Sequence, residues 1–435
     1  MSQTAPVPRV IVIGAGAAGF MAAIFAATTG ADTVLVERTK DGGRKILISG
    51  GGRCNVLPAR VDEARFVTDS SPNLLRKMVR AWPLAAQRAF FEETLGIALA
   101  EESETGKLFP VSNRARDVRD GLLAHAVRQG VRLLMDTRVT DLQPPATALS
   151  SVTLSGSGTP LPRETATAWT VSIANGEALH ADAVIVATGG LSVPNTGSDG
   201  AGLSFLARLG HTMHPTYAAL TPLVSGAPEF TDLVGISLPV SLSAASDERS
   251  AKASGGFLFT HRGYSGPSVL DVSHVAVRAR AGHDGHQSVA RLQVQWTPWA
   301  DAEWDVALRP LGARTVTGAL RAMLPDRLVA VLLKAAKVEA GRALSDLKRQ
   351  ERLRLIDTLV RGELRVTGDE GYKKAEVTGG GVALSEVHPR TMESRRHPGL
   401  YLCGEVLDAF GPIGGYNFLW AWATGRSAGL GAAGR

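Results

Sequence analysis

Hydrophobic positions near the start of this chain form short unbroken runs rather than alternations. Arg9–Ile13 reads RVIVI and Thr33–Val36 reads TVLV, which suits strands buried on both faces of a parallel sheet. Between them Phe20–Thr29 is rich in alanine and reads as a helix. Gly30 ends it, because a left-handed C-cap favours glycine. The three pieces predict a βαβ unit of about 30 residues. No charged residue lies between Val10 and Ala31, roughly the length of a bilayer span. The β-branched start and the three regularly spaced glycines nevertheless favour strand, turn and helix, and no membrane partner is expected.

Helical patterns follow at Asn73–Arg80, Leu84–Leu95 and Ala115–Gln129, and Val131–Val139 predicts another strand pair. Residues 144–166, dense in Ser, Thr, Pro and Gly, predict a hairpin with a loose tip. Trp169–Ile173 and Ala183–Ala187 read as strands, the second running into Thr188-Gly189-Gly190. The pattern then changes. Residues 195–300 hold many short β-like runs and few long helical patterns, whereas 301–360 return to helix at Ala319–Leu324, Leu328–Val338 and Ala343–Thr358. Glycine-rich strands resume from Tyr372, and a last helix starts near Asn417. The order predicts four stretches: 1–194 as the first part of a nucleotide-binding domain, 195–300 as a β-rich insert, 301–360 as a helical subdomain, and 361–435 returning through the insert to the first domain.

Composition narrows this little. The 435 residues are 44% hydrophobic and 20% charged, which excludes disorder and fibrous repeats. A net charge of +6 and a pI near 9.5 help attract phosphate-bearing cofactors and anionic substrates. No dense Lys/Arg block is interleaved with aromatics, so the sequence argues against a nucleic-acid partner. Two cysteines, Cys54 and Cys403, supply no disulfide framework, metal spacing or Cys-x-x-Cys pair, and the expected compartment is a reducing cytoplasm.

The chemistry begins at Gly14-Ala15-Gly16-Ala17-Ala18-Gly19, after the first strand and before the first helix. In such a loop the first glycine makes a tight turn and the second lets the backbone approach a pyrophosphate. The third allows close helix–strand packing. The helix N-terminus then offers N–H groups and the positive end of its dipole to the phosphates. Glu37 closes the second strand, about 20 residues on, where a carboxylate can accept both ribose hydroxyls. Gly429-Leu430-Gly431-Ala432-Ala433-Gly434 has the same spacing but follows no strand and opens no helix. It reads as a frayed tail.

Later segments favour FAD over a smaller dinucleotide. Val184–Gly190 (VIVATGG) and Gly399–Glu405 (GLYLCGE) are strands running into small or polar turns. Asp408 follows the second, and Gly414-Gly415-Tyr416-Asn417 opens the last helix. Asp408 is suited to hold a ribityl chain, and that helix N-terminus to stabilise negative charge on a reduced flavin.

Together these segments resemble the HI0933-like flavoprotein family, also described as the BaiN or aminoacetone oxidase family. The resemblance covers nearly the whole chain: GAGAAG, Gly43-Arg44-Lys45, Ser49-Gly50-Gly51-Gly52-Arg53-Cys54-Asn55, Ala187-Thr188-Gly189-Gly190 and Thr196-Gly197-Ser198. It continues through Phe259–Pro267 (FTHRGYSGP), Thr378-Gly379-Gly380-Gly381-Val382, and Gly404-Glu405-Val406-Leu407-Asp408 with Gly414–Asn417. The resemblance implies an α/β fold, a Rossmann-like FAD-binding domain interrupted by a β-barrel-like insert and a helical subdomain. It also implies that Gly14, Gly16 and Gly19 meet the pyrophosphate and Glu37 the adenosine ribose. Val139 would touch adenine through its backbone, while Lys45, Asn55, Gly404, Asp408, Tyr416 and Asn417 would lie along the rest of FAD. Ala15, Ala17, Ala18, Arg38, Arg44, Ser49, Gly52, Arg53, Cys54, Thr188, Gly189, Gly190, Glu405 and Gly415, from the same segments, complete the candidate cofactor set.

In the insert, Thr260, His261, Tyr264 and Ser265 are candidates to face the flavin ring. His261 and Tyr264 are the candidate catalytic proton donors, histidine because it titrates near neutrality. A satisfied core histidine and a packed tyrosine are the structural alternatives, and Lys373-Lys374 reads as a solvated edge. The resulting expectation is an FAD-dependent oxidoreductase acting on a small organic molecule by hydride transfer at the flavin. It would work either as a reductase using NAD(P)H as a transient donor or as an oxidase using oxygen. The alternative is a flavin-bearing RNA-modifying or redox-sensing protein.

Overall fold

The computed structural model describes residues 7–145, 168–226, 232–282, 288–309 and 314–434. The hairpin expected at 144–166 lies outside them, apart from its first two residues. The chain divides into two compact units, one of residues 1–216 with 377–435 and one of residues 217–376.

The first unit is built on a five-stranded parallel sheet. Its strands are β1 (Arg9–Ile13), β2 (Asp32–Val36), β3 (Arg132–Leu134), β4 (Ala183–Val186) and β5 (Leu400–Leu402), in the order β5-β4-β1-β2-β3. Every neighbouring pair is parallel. The strand order reverses at β1, so the crevice beyond the carboxyl ends of β1 and β4 is where such a sheet accepts a ligand. The apolar runs behave as their pattern requires: Val10, Val12, Leu35, Val184, Ile185 and Leu402 are all fully buried. Three helices matter for the site: α1 (Ala17–Thr28), α2 (Ala201–Arg208) and α3 (Tyr416–Ala433). Helix α3 packs along α1 and over β4 and β5. The stretch from Val10 to Ala31 is thus strand, loop and a 12-residue helix, and no helix among the described residues is long and apolar enough to cross a membrane.

The C-terminal glycine pattern corrects the expectation of a frayed tail. Residues 429–433 are the last turns of α3, and Gly429 is buried. A Cβ at Gly425 would come 2.3 Å from Ala18 O, and one at Gly429 would come 2.3 Å from Ala22 O. The two glycines, four apart, let α3 lie against residues four apart on α1, a spacing that places them on one helix face.

The second unit holds a seven-stranded antiparallel sheet. Its order is Gly362–Leu364, Arg291–Gln295, Ser237–Ala245, Ser250–Phe259, Gly263–Ser265, Leu223–Val224 and Gly368–Asp369. Along Ser237–Ala245 buried and exposed positions alternate almost perfectly, as a sheet with one wet face requires. This corrects the β-barrel-like insert. The edge strands Gly362–Leu364 and Gly368–Asp369 do not pair with each other among the described residues, and a helix, Pro267–Ala281, covers one face of the central strands instead. Helices Asp301–Ala307, Val316–Leu320, Asp326–Ala335 and Arg349–Val360 share that unit's apolar core with Trp296 and Trp304.

Candidate functional site

The three glycines of the first loop meet different surroundings. Gly14 turns the chain at φ +101°, and a Cβ there would sit 2.7 Å from Ala187 O at the end of β4. A Cβ on Gly19 would sit 1.8 Å from Gly14 O, so α1 docks on the loop only because Gly19 has no side chain. Gly16 differs from both. No atom lies within 4 Å of where its Cβ would be, although its φ of −83° and ψ of −170° are open to any residue. Gly16 is the N-cap of α1, and no side chain caps the helix there. An uncovered helix N-terminus beside open space is what a pyrophosphate needs.

Glu37 is buried beneath the loop. Its Oε2 accepts from Ala15 N at 2.7 Å, and its Oε1 accepts from Thr39 N at 2.8 Å and Thr39 Oγ1 at 2.7 Å. An ionised carboxylate has about four acceptor sites, so roughly one remains for a ribose hydroxyl. Arg38 pairs with Asp199 and also donates to Gly197 O at 3.3 Å. Arg44 pairs with Asp41 at 2.9 Å on the loop surface. Val139 is buried at the start of the strand Val139–Gln143, paired with Ile173.

Lys45 enters a half-buried polar cluster. Its Nζ donates to Glu405 Oε2 at 2.7 Å and to Ser192 Oγ at 2.6 Å. Ser192 Oγ donates on to Glu405 Oε1 at 2.6 Å, and Thr378 N reaches the same oxygen at 2.9 Å. Burial works against the ionised Glu405, but the Lys45 charge, followed by the Lys45, Ser192 and Thr378 bonds, holds its carboxyl below the usual range. Thr378 Oγ1 accepts from Leu191 N at 2.7 Å and Ser192 N at 3.1 Å, so it fixes the turn after Thr188-Gly189-Gly190. Gly190 permits this, because a Cβ there would lie 2.4 Å from Thr378 Oγ1.

The second glycine-rich segment forms a tight turn with Cys54 buried at φ +62°. Arg53 stacks over Phe109 at 4.0 Å and pairs with Glu102 at 3.1 Å, while Ser49 Oγ donates to Ile46 O at 2.9 Å. With its amide oriented to satisfy both ends, Asn55 donates to Leu57 O at 3.2 Å and accepts from Gly415 N at 3.0 Å. Asn55 therefore ties Gly52–Asn55 to the start of α3. Gly404 N is held by Thr424 Oγ1 at 3.0 Å, and a Cβ on Gly404 would press within 2.8 Å of Ala18 Cβ. Tyr416 OH donates to Arg60 O at 3.3 Å and accepts from Asp62 N at 3.1 Å. The Asn417 amide brackets Gly411 on both its N and O at 2.9 Å. Neither cysteine is a reactive thiol: burial pushes Cys54 up to about 12 and moves Cys403 in the same direction.

Asp408 is the centre of a third cluster. It is 2% exposed, and its Oδ2 accepts from Thr68 Oγ1, Asp69 N, Ser70 N and Ser70 Oγ, each at 2.9 Å. Burial pushes its carboxyl up, partly offset by Ser70, Thr68 and His214. His214 Nε2 lies 3.3 Å from Ser70 Oγ and 3.6 Å from Asp408 Oδ2. Ser192, Thr68, Ser70 and His214 escaped the sequence reading, and Thr378 was not singled out as a site residue. Only Thr378 carried a signal, as the head of its glycine run.

Two candidates lie in the second unit. His261 is exposed in the turn after Ser250–Phe259, where Thr260 Oγ1 accepts from Arg262 N at 3.3 Å and Gly263 N at 3.1 Å. Tyr264 is 1% exposed, packed on Phe257 and Phe259, with its hydroxyl 3.0 Å from Ser225 Oγ. Its surroundings are those of a packed core tyrosine.

The family profile described as the HI0933-like protein Rossmann domain matches residues 8–431. The chain is 31% identical to the ribosomal RNA dihydrouridine synthase of Escherichia coli over 95% of each protein. It is 30% identical to the 3-dehydro-bile acid delta(4,6)-reductase of Clostridium scindens over 98% of this chain and 99% of that one. Among solved structures, 3-ketosteroid delta1-dehydrogenase from Sterolibacterium denitrificans aligns over 98% of this chain with a TM-score of 0.50 at 12% identity, a likeness of fold. The chain belongs to the HI0933-like family, and it is an FAD-dependent oxidoreductase.

Proposed function

We propose that this HI0933-like protein is a reductase of carbon–carbon double bonds conjugated to a carbonyl, with a reduced nicotinamide as the electron donor. One observation carries the reading. The two relatives match over almost their whole length at similar identity, and both names describe hydrogenation of such a bond, one in a pyrimidine and one in a steroid nucleus. What the relatives share is the chemistry, so it belongs to the shared scaffold, whereas the substrates differ.

When bound, FAD supplies a two-electron store that takes hydride from one partner and delivers it to another. The chain's own part is positioning and charge. Open space at Gly16 with the N-terminus of α1 suits the pyrophosphate, and Glu37 retains room for a ribose hydroxyl. Lys45, held by Glu405 and Ser192, brings a cation to that side of the site. The buried, high-pKa thiols of Cys54 and Cys403 argue against a mechanism routed through cysteine.

The test is anaerobic stopped-flow mixing. NADH or NADPH should bleach the flavin, and 2-cyclohexen-1-one should restore its absorbance faster than air-saturated buffer does. Bleaching by a small amine, with recovery by oxygen alone, would identify an oxidase and end this reading. A second reading takes a uridine in RNA as the substrate, favoured by the name of the Escherichia coli relative and compatible with the net charge of +6. Ribosomal RNA from cells lacking the protein should then lose dihydrouridine by nucleoside mass spectrometry.

A further inference from the structure

We infer that the substrate ring is held in a pocket of the first unit between α2 and the start of the strand Met213–Ala219, and that His214 gives it the proton that completes reduction. The inference rests on the reductase reading and adds a site and an acid to it. The pocket has a volume of about 420 Å³ and lies wholly within the first unit, within the usual range for a small-molecule site. Leu191, Leu203, Met213 and Pro215 give it apolar walls, and His214 brings an imidazole to its lining. The neighbouring carboxylate Asp199 is already committed to Arg38 and Arg138. A neutral, mainly apolar ring with one carbonyl fits this chemistry.

The Lys45–Glu405 and Asp408 clusters described above border the pocket. Leu191 lines it, and its backbone N–H is fixed by Thr378 Oγ1 beside Ser192, Glu405 and Lys45. His214 lines it as well, and it touches the Ser70–Asp408 pair. The hydrogen-bond direction there follows from counting protons. Ser70 has one hydroxyl hydrogen, and it goes to Asp408 Oδ2; Ser70 Oγ then accepts from Leu384 N at 2.9 Å and from His214 Nε2. Nε2 is therefore the protonated, anchored nitrogen, and Nδ1 is the one left to exchange a proton with a ligand. The His214 side chain is 27% exposed, so solvent can reload it.

The balance is simple. The β carbon of the substrate would receive hydride, two electrons and one hydrogen, which bound FAD would supply once a reduced nicotinamide has charged it. The π bond breaks, and its electron pair ends in a new C–H bond at the α carbon, whose proton leaves Nδ1 of the His214 imidazolium, the form protonated on both ring nitrogens. The neutral imidazole then takes a proton from water. Asp408 and Ser70 are positioning residues that fix the imidazole ring.

The experiment uses the flavin-loaded protein, with 2-cyclohexen-1-one as the probe. Binding is read from the flavin difference spectrum and turnover from anaerobic reoxidation. Ala207→Trp, at an exposed helical position lining the pocket, should raise the probe's apparent Kd at least about tenfold. His214→Ala should slow reoxidation about 100-fold while the probe still binds, and added imidazole should restore much of the rate. His214→Gln keeps a donor for Ser70 but carries no transferable proton, so it should be as slow as His214→Ala and deaf to imidazole. Unchanged probe binding in Ala207→Trp would overturn the pocket, as would a wild-type protein that shows no binding. A His214→Gln rate near wild type would overturn the proton donor and leave a structural histidine. If the wild type binds the probe but is never reoxidised by it, the reductase reading and the proton role both fall. The pocket then stands or falls on Ala207→Trp alone.

Discussion

The chain carries the same glycine spacing twice, and the two copies do opposite work. Gly14–Gly19 lies after β1 and opens α1; Gly429–Gly434 closes α3. In the first copy the outer glycines are pressed against backbone while the middle one faces open space. In the second copy Gly429 would strike Ala22 O at 2.3 Å and Gly431 would strike Thr391 O at 2.6 Å, and neither has a positive φ. The first loop is shaped around something the protein must admit, and the second around a neighbouring helix. Spacing alone does not tell them apart. The strand before and the helix after do.

Substitutions in the two copies should therefore separate binding from stability. The largest effect is expected from Gly16→Asp, which puts a carboxylate where the pyrophosphate belongs. FAD affinity should fall at least about 100-fold, or roughly 2.7 kcal/mol, as measured by titrating apoprotein. Next comes Gly429→Val. Its side chain forces α3 away from α1 and should cost about 2 kcal/mol of apoprotein stability, read from chemical denaturation, with flavin content per folded chain retained. Glu37→Gln is milder. An amide can satisfy the donors on only one of its two termini, so FAD affinity should drop roughly tenfold, about 1.4 kcal/mol.

The smallest effect sharpens the second copy. Gly431 rests on Thr391, within a loop braced by Glu386 and Arg396. The Arg396 guanidinium is the main cause that holds the Glu386 carboxyl down at about 2, against an ordinary 4.5. A depressed carboxyl stabilises the fold above its unfolded pKa, and that contribution is lost as pH falls through the folded value. Wild type should be slightly more stable than Glu386→Gln at pH 6. The gap in thermal midpoint should close between about pH 4.5 and 2, with FAD affinity in Glu386→Gln unchanged at pH 6.

Much of the first unit was legible because its signals are local. RVIVI, the glycine loop, the alanine-rich helix and Glu37 lie within one βαβ unit, and sheet burial explains their unbroken apolar runs. The distant motifs were legible as segments but not as contacts. That Asn55 would meet Gly415, or Lys45 would meet Glu405 across 360 positions, is fixed by the crossing of β4, β5 and α3. The Asp408 cluster left less trace, since Thr68 and Ser70 are ordinary polar residues some 340 positions away.

Helix Pro267–Ala281 was concealed for another reason. Its valines at 269, 272, 275 and 277 favour strands, and burial on several sides erases the helical period. Only Pro267 at its first turn marks a helix start. In place of the barrel expected from the family resemblance, the described residues form an open sheet whose central strands that helix covers on one face.

The two glycine copies are tested most directly by measuring FAD affinity and thermal midpoint on the same apoprotein preparations of Gly16→Asp and Gly429→Val. The account predicts a crossed result: Gly16→Asp loses FAD and keeps the wild-type midpoint, while Gly429→Val keeps FAD and loses midpoint. A Gly16→Asp protein that still binds FAD like wild type, or that loses FAD only because its apoprotein melts early, would contradict it.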